Sequence, residues 1–322
     1  MIFRAVRFTI SAMHKFHEPV MLKEVIEMGR PSAGEVWVDA TAGFGGHSIE
    51  IARHLGDDGK VIAIEKDSET FRFLVDNTKK HNIIAVNDDY VNIKSILREI
   101  GISRVDGILF DLGLSSYHID RSGRGFSYKK DEFLDMRFDP GTGEPLAELL
   151  PRLTEREIAD IIYLFGEERR SRRIARAIHG AVRRSGIRTT TELNEAISGA
   201  VPRRLLGDVL PRVYQAFRIF VNRELEHVAL GLARAAEALA IGGRLVIISY
   251  HSLEDRIAKG LGRLEAFERL NKKVLRPSEE EVRRNPRSRS ARLRALLKKG
   301  EIDEESAYNY LVAFVPRLHR GH

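Results

Sequence analysis

The chain has no cysteine. That absence excludes disulfides, thiolate metal sites, iron–sulfur clusters and every mechanism built on a cysteine nucleophile. No run approaches the roughly 18 uninterrupted apolar residues of a membrane span, and the first dozen residues carry neither a signal-peptide apolar block nor a helix cap. A cytoplasmic protein is therefore expected. Residues 1–12 read as a disordered leader, or an upstream start ahead of Met13. Internal repeats are also missing. What is present, 322 residues with 43% hydrophobic and 31% charged, suffices for one large core with an insertion or for two domains.

Basic residues exceed acidic ones by 7, and their distribution is uneven. Residues 167–188 hold eight arginines against Glu167 and Glu168, a net of +6, and residues 271–299 hold eleven Lys/Arg against three glutamates, a net of +8. The remainder of the chain is thus at −7. Two dense basic segments on an acidic body are the pattern of a polyanion-binding surface, although each run alone is equally what a solvated helix face looks like.

From Glu35 onward, short β-branched runs alternate with amphipathic stretches. Val36–Asp39, Val61–Glu65, Ile83–Val86 and Ile108–Asp111 read as buried strands, with helices over Ser48–His54 and Thr70–Lys80 between them. Strands alternating with helices imply an α/β fold, a parallel sheet covered on both faces. The rhythm stops after Asp111 and returns at Arg244–Ser249, with a last strand expected at Tyr310–Val315. The interruption is helical: Thr154 and Glu157 form a capping box, Ile158, Ile161, Ile162 and Phe165 mark one apolar face, and Thr189 with Glu192 starts another helix. The expected organisation is an α/β domain over 13–118 and 214–322, interrupted by a helical substrate-recognition subdomain at 119–213. Residues 262–290 read as a basic loop.

The chemistry gathers at the carboxyl ends of the strands. Asp39-Ala40-Thr41-Ala42-Gly43-Phe44-Gly45-Gly46-His47 follows the first strand and opens a helix, a turn in which a ligand can lie against backbone amides. Nineteen residues past Gly46, Glu65 ends the second strand, placed to accept both hydroxyls of a ribose. This order points to a nucleoside-containing cofactor without separating a dinucleotide from S-adenosylmethionine. Asp111 ends the fourth strand, and the polar cluster Ser249–Arg256, with His251 in it, follows the fifth. Both belong on the same rim.

With those blocks in view, the chain resembles the MraW/RsmH family of bacterial methyltransferases. The resemblance runs in order from His17-Glu18-Pro19-Val20-Met21 through the glycine turn and Asp111-Leu112-Gly113-Leu114-Ser115-Ser116. It continues with Arg124-Gly125-Phe126-Ser127, Leu134-Asp135-Met136-Arg137, Tyr163–Glu168, Gln215–Ile219 and Val221–Glu226, and ends with the His251 block and Asn285-Pro286-Arg287-Ser288-Arg289-Ser290. It implies a Rossmann-like class I methyltransferase sheet with an inserted helical subdomain, and S-adenosylmethionine as cofactor. The implied reaction is methylation of the N4 amine of a cytidine in the decoding region of 16S ribosomal RNA within the small subunit. Carried over by position, the implied cofactor contacts are Gly45, Gly46, His47, Glu65, Tyr90, Asp111 and His118. The family usually has Asp at position 65 and Gln at 118, and the segment before Gln215 is shortened here.

An exocyclic amine can attack a sulfonium methyl directly, which suits a chain without cysteine; methylation at carbon 5 generally needs a cysteine nucleophile. The enzyme then supplies positioning, hydrogen bonds to the amine and a proton acceptor, with Asp111, Ser115 and His251 as candidates. The target base must be single-stranded or flipped out. Arg169, Arg172, Arg173, Arg176, Arg287 and Arg289 are the expected RNA contacts. No metal and no membrane are expected, and the oligomeric state, homodimer included, is left open. Two other readings share some of these features: a nicotinamide-dependent oxidoreductase, for which no hydride-site constellation is visible, and an RNA-binding ribosome-assembly factor without catalysis, against which the glycine turn speaks.

Overall fold

The computed structural model describes residues 19–113 and 122–318. The chain divides into two compact units, the first comprising residues up to Ser116 together with Arg234–Glu304, the second Tyr117–Ala233 together with residues from Glu305.

The first unit begins with α1 (Leu22–Gly29) and alternates thereafter: β1 (Val36–Asp39), α2 (Gly46–Leu55), β2 (Lys60–Ile64), α3 (Ser68–Thr78), β3 (Ile83–Val86), a 3₁₀ turn at Tyr90–Asn92, α4 (Ile93–Ile100) and β4 (Val105–Asp111). The β-branched runs form these strands because both faces of a parallel sheet are covered, so no polar alternation is needed. β1 lies between β2 and β4, with Val38 opposite Ile62 on one side and Ile108 on the other, all parallel. The chain's single tryptophan, Trp37, is buried in β1. Its ring occupies the space that side chains at two glycines would fill: a Cβ on Gly107 of β4 would stand 2.1 Å from the indole, and one on Gly29 2.7 Å from it.

The second unit is helical: α5 (Leu146–Leu149), α6 (Glu155–Gly166), α7 (Ser171–Ser185), α8 (Thr190–Ala200), α9 (Leu206–Asn222) and the first part of α10 (Glu224–Ala238). Both expected capping boxes form, Thr154 with Glu157 and Thr189 with Glu192. α6 packs against α7 and α9. Ile174, Ala175 and Ile178 form the buried stripe of α7. The sequence reading set the insertion at 119–213, whereas this compact unit runs to Ala233. The longer span reflects α9, whose Val213, Phe217 and buried neighbours pack along α6.

The first unit resumes with β5 (Leu239–Ser249), α11 (Ser252–Leu261), β6 (Phe267–Arg269), α12 (Glu279–Arg284) and β7 (Arg292–Lys298), and α13 (Glu304–Leu311) starts at its end. The sheet order is β3-β2-β1-β4-β5-β7-β6, with β7 antiparallel to both neighbours and the other pairings parallel. This is the expected Rossmann-like α/β sheet.

Two local expectations are corrected. Residues 310–315 form the end of α13 and a 3₁₀ turn instead of a strand. Ala307, Leu311 and Val315 are buried at spacings of four while Ala313, which would share the face of Leu311 and Val315 in a strand, is exposed, so the burial follows a helical period. Residues 262–290, read as a loop, contain β6, α12 and a 3₁₀ turn at Pro286–Ser290.

Candidate active site

The strand order reverses between β1 and β4, and in such sheets ligands sit in the crevice beyond the carboxyl ends of those strands. Asp39 ends β1 fully buried, its Oδ2 accepting the Ser48 hydroxyl at 2.6 Å and its Oδ1 accepting the Thr41 amide at 3.3 Å. Thr41 in turn accepts the Asp111 amide at 2.6 Å, so the ends of β1 and β4 are tied by a side chain. Gly45, at φ 90°, turns the chain into α2, and a Cβ there would lie 2.9 Å from Thr78 and 3.0 Å from Leu74 of α3. No side chain caps α2 at Gly45. Within its first turn the Asp39 carboxylate takes the Ser48 amide as well as the Ser48 hydroxyl.

Glu65 follows β2 and folds back on itself. Its Oε2 accepts the Gly43 amide at 2.9 Å and its Oε1 the Asp67 amide at 2.7 Å. Each oxygen keeps a second lone pair. Burial pushes this carboxyl up to about 7, against the lowering effect of the two main-chain donors, and the charge of Asp39 adds to the rise. The carboxylate thus staples the glycine turn to the end of β2, a conformation that the extra methylene of glutamate permits.

Asp111, ending β4, is also raised by burial. The nearby His47 imidazole and a hydrogen bond from the Tyr250 hydroxyl oppose that rise, while the Asp39 charge reinforces it. The Gly113 amide approaches Asp111 Oδ1 at 3.4 Å, and His47 Nδ1 stands 3.9 Å from Oδ2. His47 is itself buried, its Nε2 3.0 Å from the Val20 carbonyl, a contact that fixes the ring if Nε2 carries the proton. Burial pushes the Tyr250 hydroxyl well above 10, helped by the Asp111 charge, so it remains a donor at every physiological pH. Gly113 lies under the Tyr250 ring, with room for no Cβ: one would stand 2.5 Å from that ring. Sequence reasoning named His251 and passed over Tyr250. The signal available was a phenol adjacent to the His251 block on the same rim.

Tyr90 opens the 3₁₀ turn after β3 and packs edge-on against Phe110, ring centroids 5.4 Å apart. His251 is the N-cap of α11 and is buried; its Nε2 lies 3.0 Å from Glu254 Oε1 and its Nδ1 accepts the Glu254 amide at 3.4 Å. Capping engages Nδ1, while Nε2 faces the Glu254 carboxylate without making a hydrogen bond. The fold therefore brings Gly45, Gly46, His47, Glu65, Tyr90, Asp111 and His251 to the carboxyl side of one sheet. Ser115 and His118 lie outside the described residues, as does the leader at 1–12.

In the helical unit, Arg169 precedes α7 and Arg172, Arg173 and Arg176 lie on it, all exposed. At about 100° per residue, Arg172, Arg173 and Arg176 fall within roughly one third of the helix circumference. Arg176 stands 3.5 Å from Glu155, while Arg169, Arg172 and Arg173 have no ion-pair partner among the described residues. The buried Glu168 anchors the entrance of α7 by holding Arg170 at 3.2 Å and Arg212 at 3.5 Å. In the first unit, Arg287 and Arg289 are exposed on the 3₁₀ turn that leads into β7.

A family model described as the MraW methylase family matches residues 14–299. A protein of Dictyoglomus thermophilum named Ribosomal RNA small subunit methyltransferase H is 41% identical over 299 residues, covering 91% of this chain and 99% of its own. The protein of the same name from Thermotoga neapolitana is 43% identical over 294 residues, covering 87% of this chain and 95% of its own. One from Ehrlichia ruminantium, again of that name, is 40% identical over 301 residues, covering 88% and 99%.

Proposed function

The chain belongs to the MraW methylase family, and from that membership we propose that it methylates the N4 amine of a cytidine in the decoding region of 16S ribosomal RNA, on an assembling small subunit in the cytoplasm. The cofactor is S-adenosylmethionine and the reaction a methyl transfer to ribosomal RNA, as the family and the names of its members indicate. No helix among the described residues is long and apolar enough to cross a membrane.

The observation that carries the reading is the set of three carboxyls, buried Asp39 and half-buried Glu65 and Asp111, on one sheet edge beside a helix start with no side-chain cap at Gly45. Each is raised by burial, and the Asp39 charge raises the other two. A site that crowds partly desolvated acids in this way suits a ligand bringing hydroxyl donors and positive charge, as the ribose and the cationic sulfonium and ammonium groups of S-adenosylmethionine do. Gly45 and Gly46 admit the ligand close to the main chain, Glu65 offers its free lone pairs to the ribose, and Tyr90 presents an aromatic ring for the adenine. When bound, the cofactor supplies an electrophilic methyl group.

The protein's part in the reaction is positioning and proton management. The amine of the flipped cytidine attacks in line, and as its nitrogen gains a fourth bond it becomes acidic. Asp111 accepts a hydrogen bond from that amine and then its proton. Tyr250 and Gly113 fix the carboxylate, and its raised pKa makes it a better base than an exposed aspartate. Arg169, Arg172, Arg173 and Arg176 track the RNA backbone, with Arg287 and Arg289 as further phosphate contacts. The test is transfer of labelled methyl to small-subunit particles lacking the modification. The wild type labels the 16S RNA and Asp111→Asn does not; equal labelling by both would remove Asp111 from the chemistry.

A further inference from the structure

The 3₁₀ turn that carries Tyr90 is held from behind by a residue far away in sequence. Arg234, in the last turns of α10, donates from Nη1 to the carbonyl of Val91, the residue immediately after Tyr90. The same guanidinium is fixed by Glu304, with Nε 2.7 Å from Oε1. Glu304 is itself immobilised: its other oxygen lies 2.9 Å from Lys94 Nζ, and its amide donates to Glu237 at 2.7 Å. Lys94 closes the cluster through Glu237 at 2.9 Å. From the front, Asp89 accepts the Val91 amide at 3.0 Å and is clamped by Lys66 at 2.7 Å.

The consequence is a division of labour around a single residue. Asp89 holds the amide of Val91, which belongs to the peptide joining it to Tyr90, and Arg234 holds the carbonyl of the next peptide. Val91 is therefore gripped at both of its peptide groups within a turn only three residues long. The Tyr90 ring leans edge-on against Phe110, whose neighbour is Asp111. A rotation of the backbone at Val91 would therefore move the Tyr90 ring. Arg234 reaches no group assigned to the cofactor or the base.

We propose that Arg234 is a positioning residue for the cofactor site: the guanidinium, locked by Glu304, holds the Val91 carbonyl and so sets the orientation of Tyr90. This rests on the reading of Tyr90 as the adenine contact. The geometry differs from a generic stabilising ion pair because one arm ends on the main chain of the binding turn. Removing that arm should act on cofactor affinity through Tyr90 and leave the chemical step alone.

The test is a double-mutant cycle on the full-length protein, with S-adenosylhomocysteine binding by calorimetry and steady-state kinetics as readouts. Arg234→Met should weaken binding about tenfold and raise KM for S-adenosylmethionine similarly, with kcat within about twofold, the size expected for losing one charge-assisted hydrogen bond. In a Tyr90→Ala background the same substitution should add less than about twofold. Arg104→Met is the control, since Arg104 grips the carbonyls of Glu237 and Leu239 at the end of α10 without touching the turn. It should lower the melting temperature and leave KM unchanged. If Arg234→Met does not fold, Arg234→Lys serves in the same cycle with an effect of about threefold, because an ammonium cannot grip Glu304 and Val91 with a fork. Unchanged affinity in Tyr90→Ala would overturn the adenine reading and the proposal with it. A tenfold loss in Tyr90→Ala combined with a fully additive Arg234 effect, or with no Arg234 effect, would overturn the proposal alone.

Discussion

Glu65 should make cofactor affinity and the stability of the free protein depend on pH in opposite directions. Its carboxyl is pushed from an ordinary 4.5 up to about 7, chiefly by burial. A rise of one in pKa corresponds to about 1.4 kcal/mol, so ionised Glu65 costs the free protein on the order of 3 kcal/mol relative to the unfolded chain. The sign follows from the raised value. The folded state binds this proton more tightly, so the contribution to stability is complete below 4.5 and is lost as pH rises through 7. A ribose, by contrast, donates its hydroxyls to the carboxylate and so favours the ionised form. Affinity for S-adenosylhomocysteine should climb between pH 5.5 and 7.5, approaching tenfold per pH unit at the acid end, and then level off. Glu65→Gln separates this group from Asp39 and Asp111, which are also raised. Titration calorimetry across pH 5.5–8.5, paired with urea unfolding of the free protein, should show a steep affinity profile in the wild type and a flatter one in the variant. The wild type should also lose more stability than the variant on going from pH 5.5 to 8.5. Parallel profiles for the two proteins would show that Glu65 neither titrates in this range nor holds the ribose.

Tyr250→Phe removes the hydroxyl that donates to Asp111, whose carboxyl should rise further; the acid limb of the kcat–pH profile should move to higher pH while RNA affinity stays constant, and an unmoved limb would show that Asp111 is not the proton acceptor. Replacing Arg169, Arg172, Arg173 and Arg176 together with Gln should weaken RNA binding across sequences and flatten the salt dependence of log K by about 0.7 for each single-strand phosphate no longer neutralised. An unchanged slope would make that face of α7 merely solvated. Gly107→Ala places a Cβ 2.1 Å from the Trp37 ring and should destabilise the protein by about 1–3 kcal/mol. Urea unfolding followed by fluorescence reads this directly, because Trp37 is the chain's one tryptophan; an unchanged midpoint would mean the core can yield there.

The parts of the molecule legible in its sequence were those whose signal is local. β1 and β4 are compact β-branched runs, the glycine turn follows one of them directly, and the boxes Thr154–Glu157 and Thr189–Glu192 announce their helices with reciprocal side-chain bonds. β7 escaped notice because Arg292, Arg294 and Lys298 obscure its alternation, and only in the fold do Arg292 and Arg294 find Asp255. Lys298 is the extreme case: it is completely buried, its ammonium donating to the Leu239 carbonyl at 2.7 Å, and burial lowers its pKa. No local pattern announces a lysine that serves as a cap for a distant helix end. The links from Tyr250 to Asp111 and from Arg234 to Val91 are of the same kind, since they join side chains and peptides far apart in the chain. Glu65 was legible as an acid at the end of a strand, but its retracted conformation, with both oxygens already engaged by Gly43 and Asp67, needed the folded turn.

The central claim is a direct transfer to an exocyclic nitrogen, and the identity of the methylated nucleoside tests it most directly. Small-subunit particles lacking the modification are incubated with the protein and methyl-labelled S-adenosylmethionine, and the 16S RNA is digested to nucleosides and resolved by chromatography and mass spectrometry. The account requires the label to appear in N4-methylated cytidine at one position. Label on carbon 5 of a pyrimidine, made by a chain with no cysteine, would contradict the chemistry proposed here.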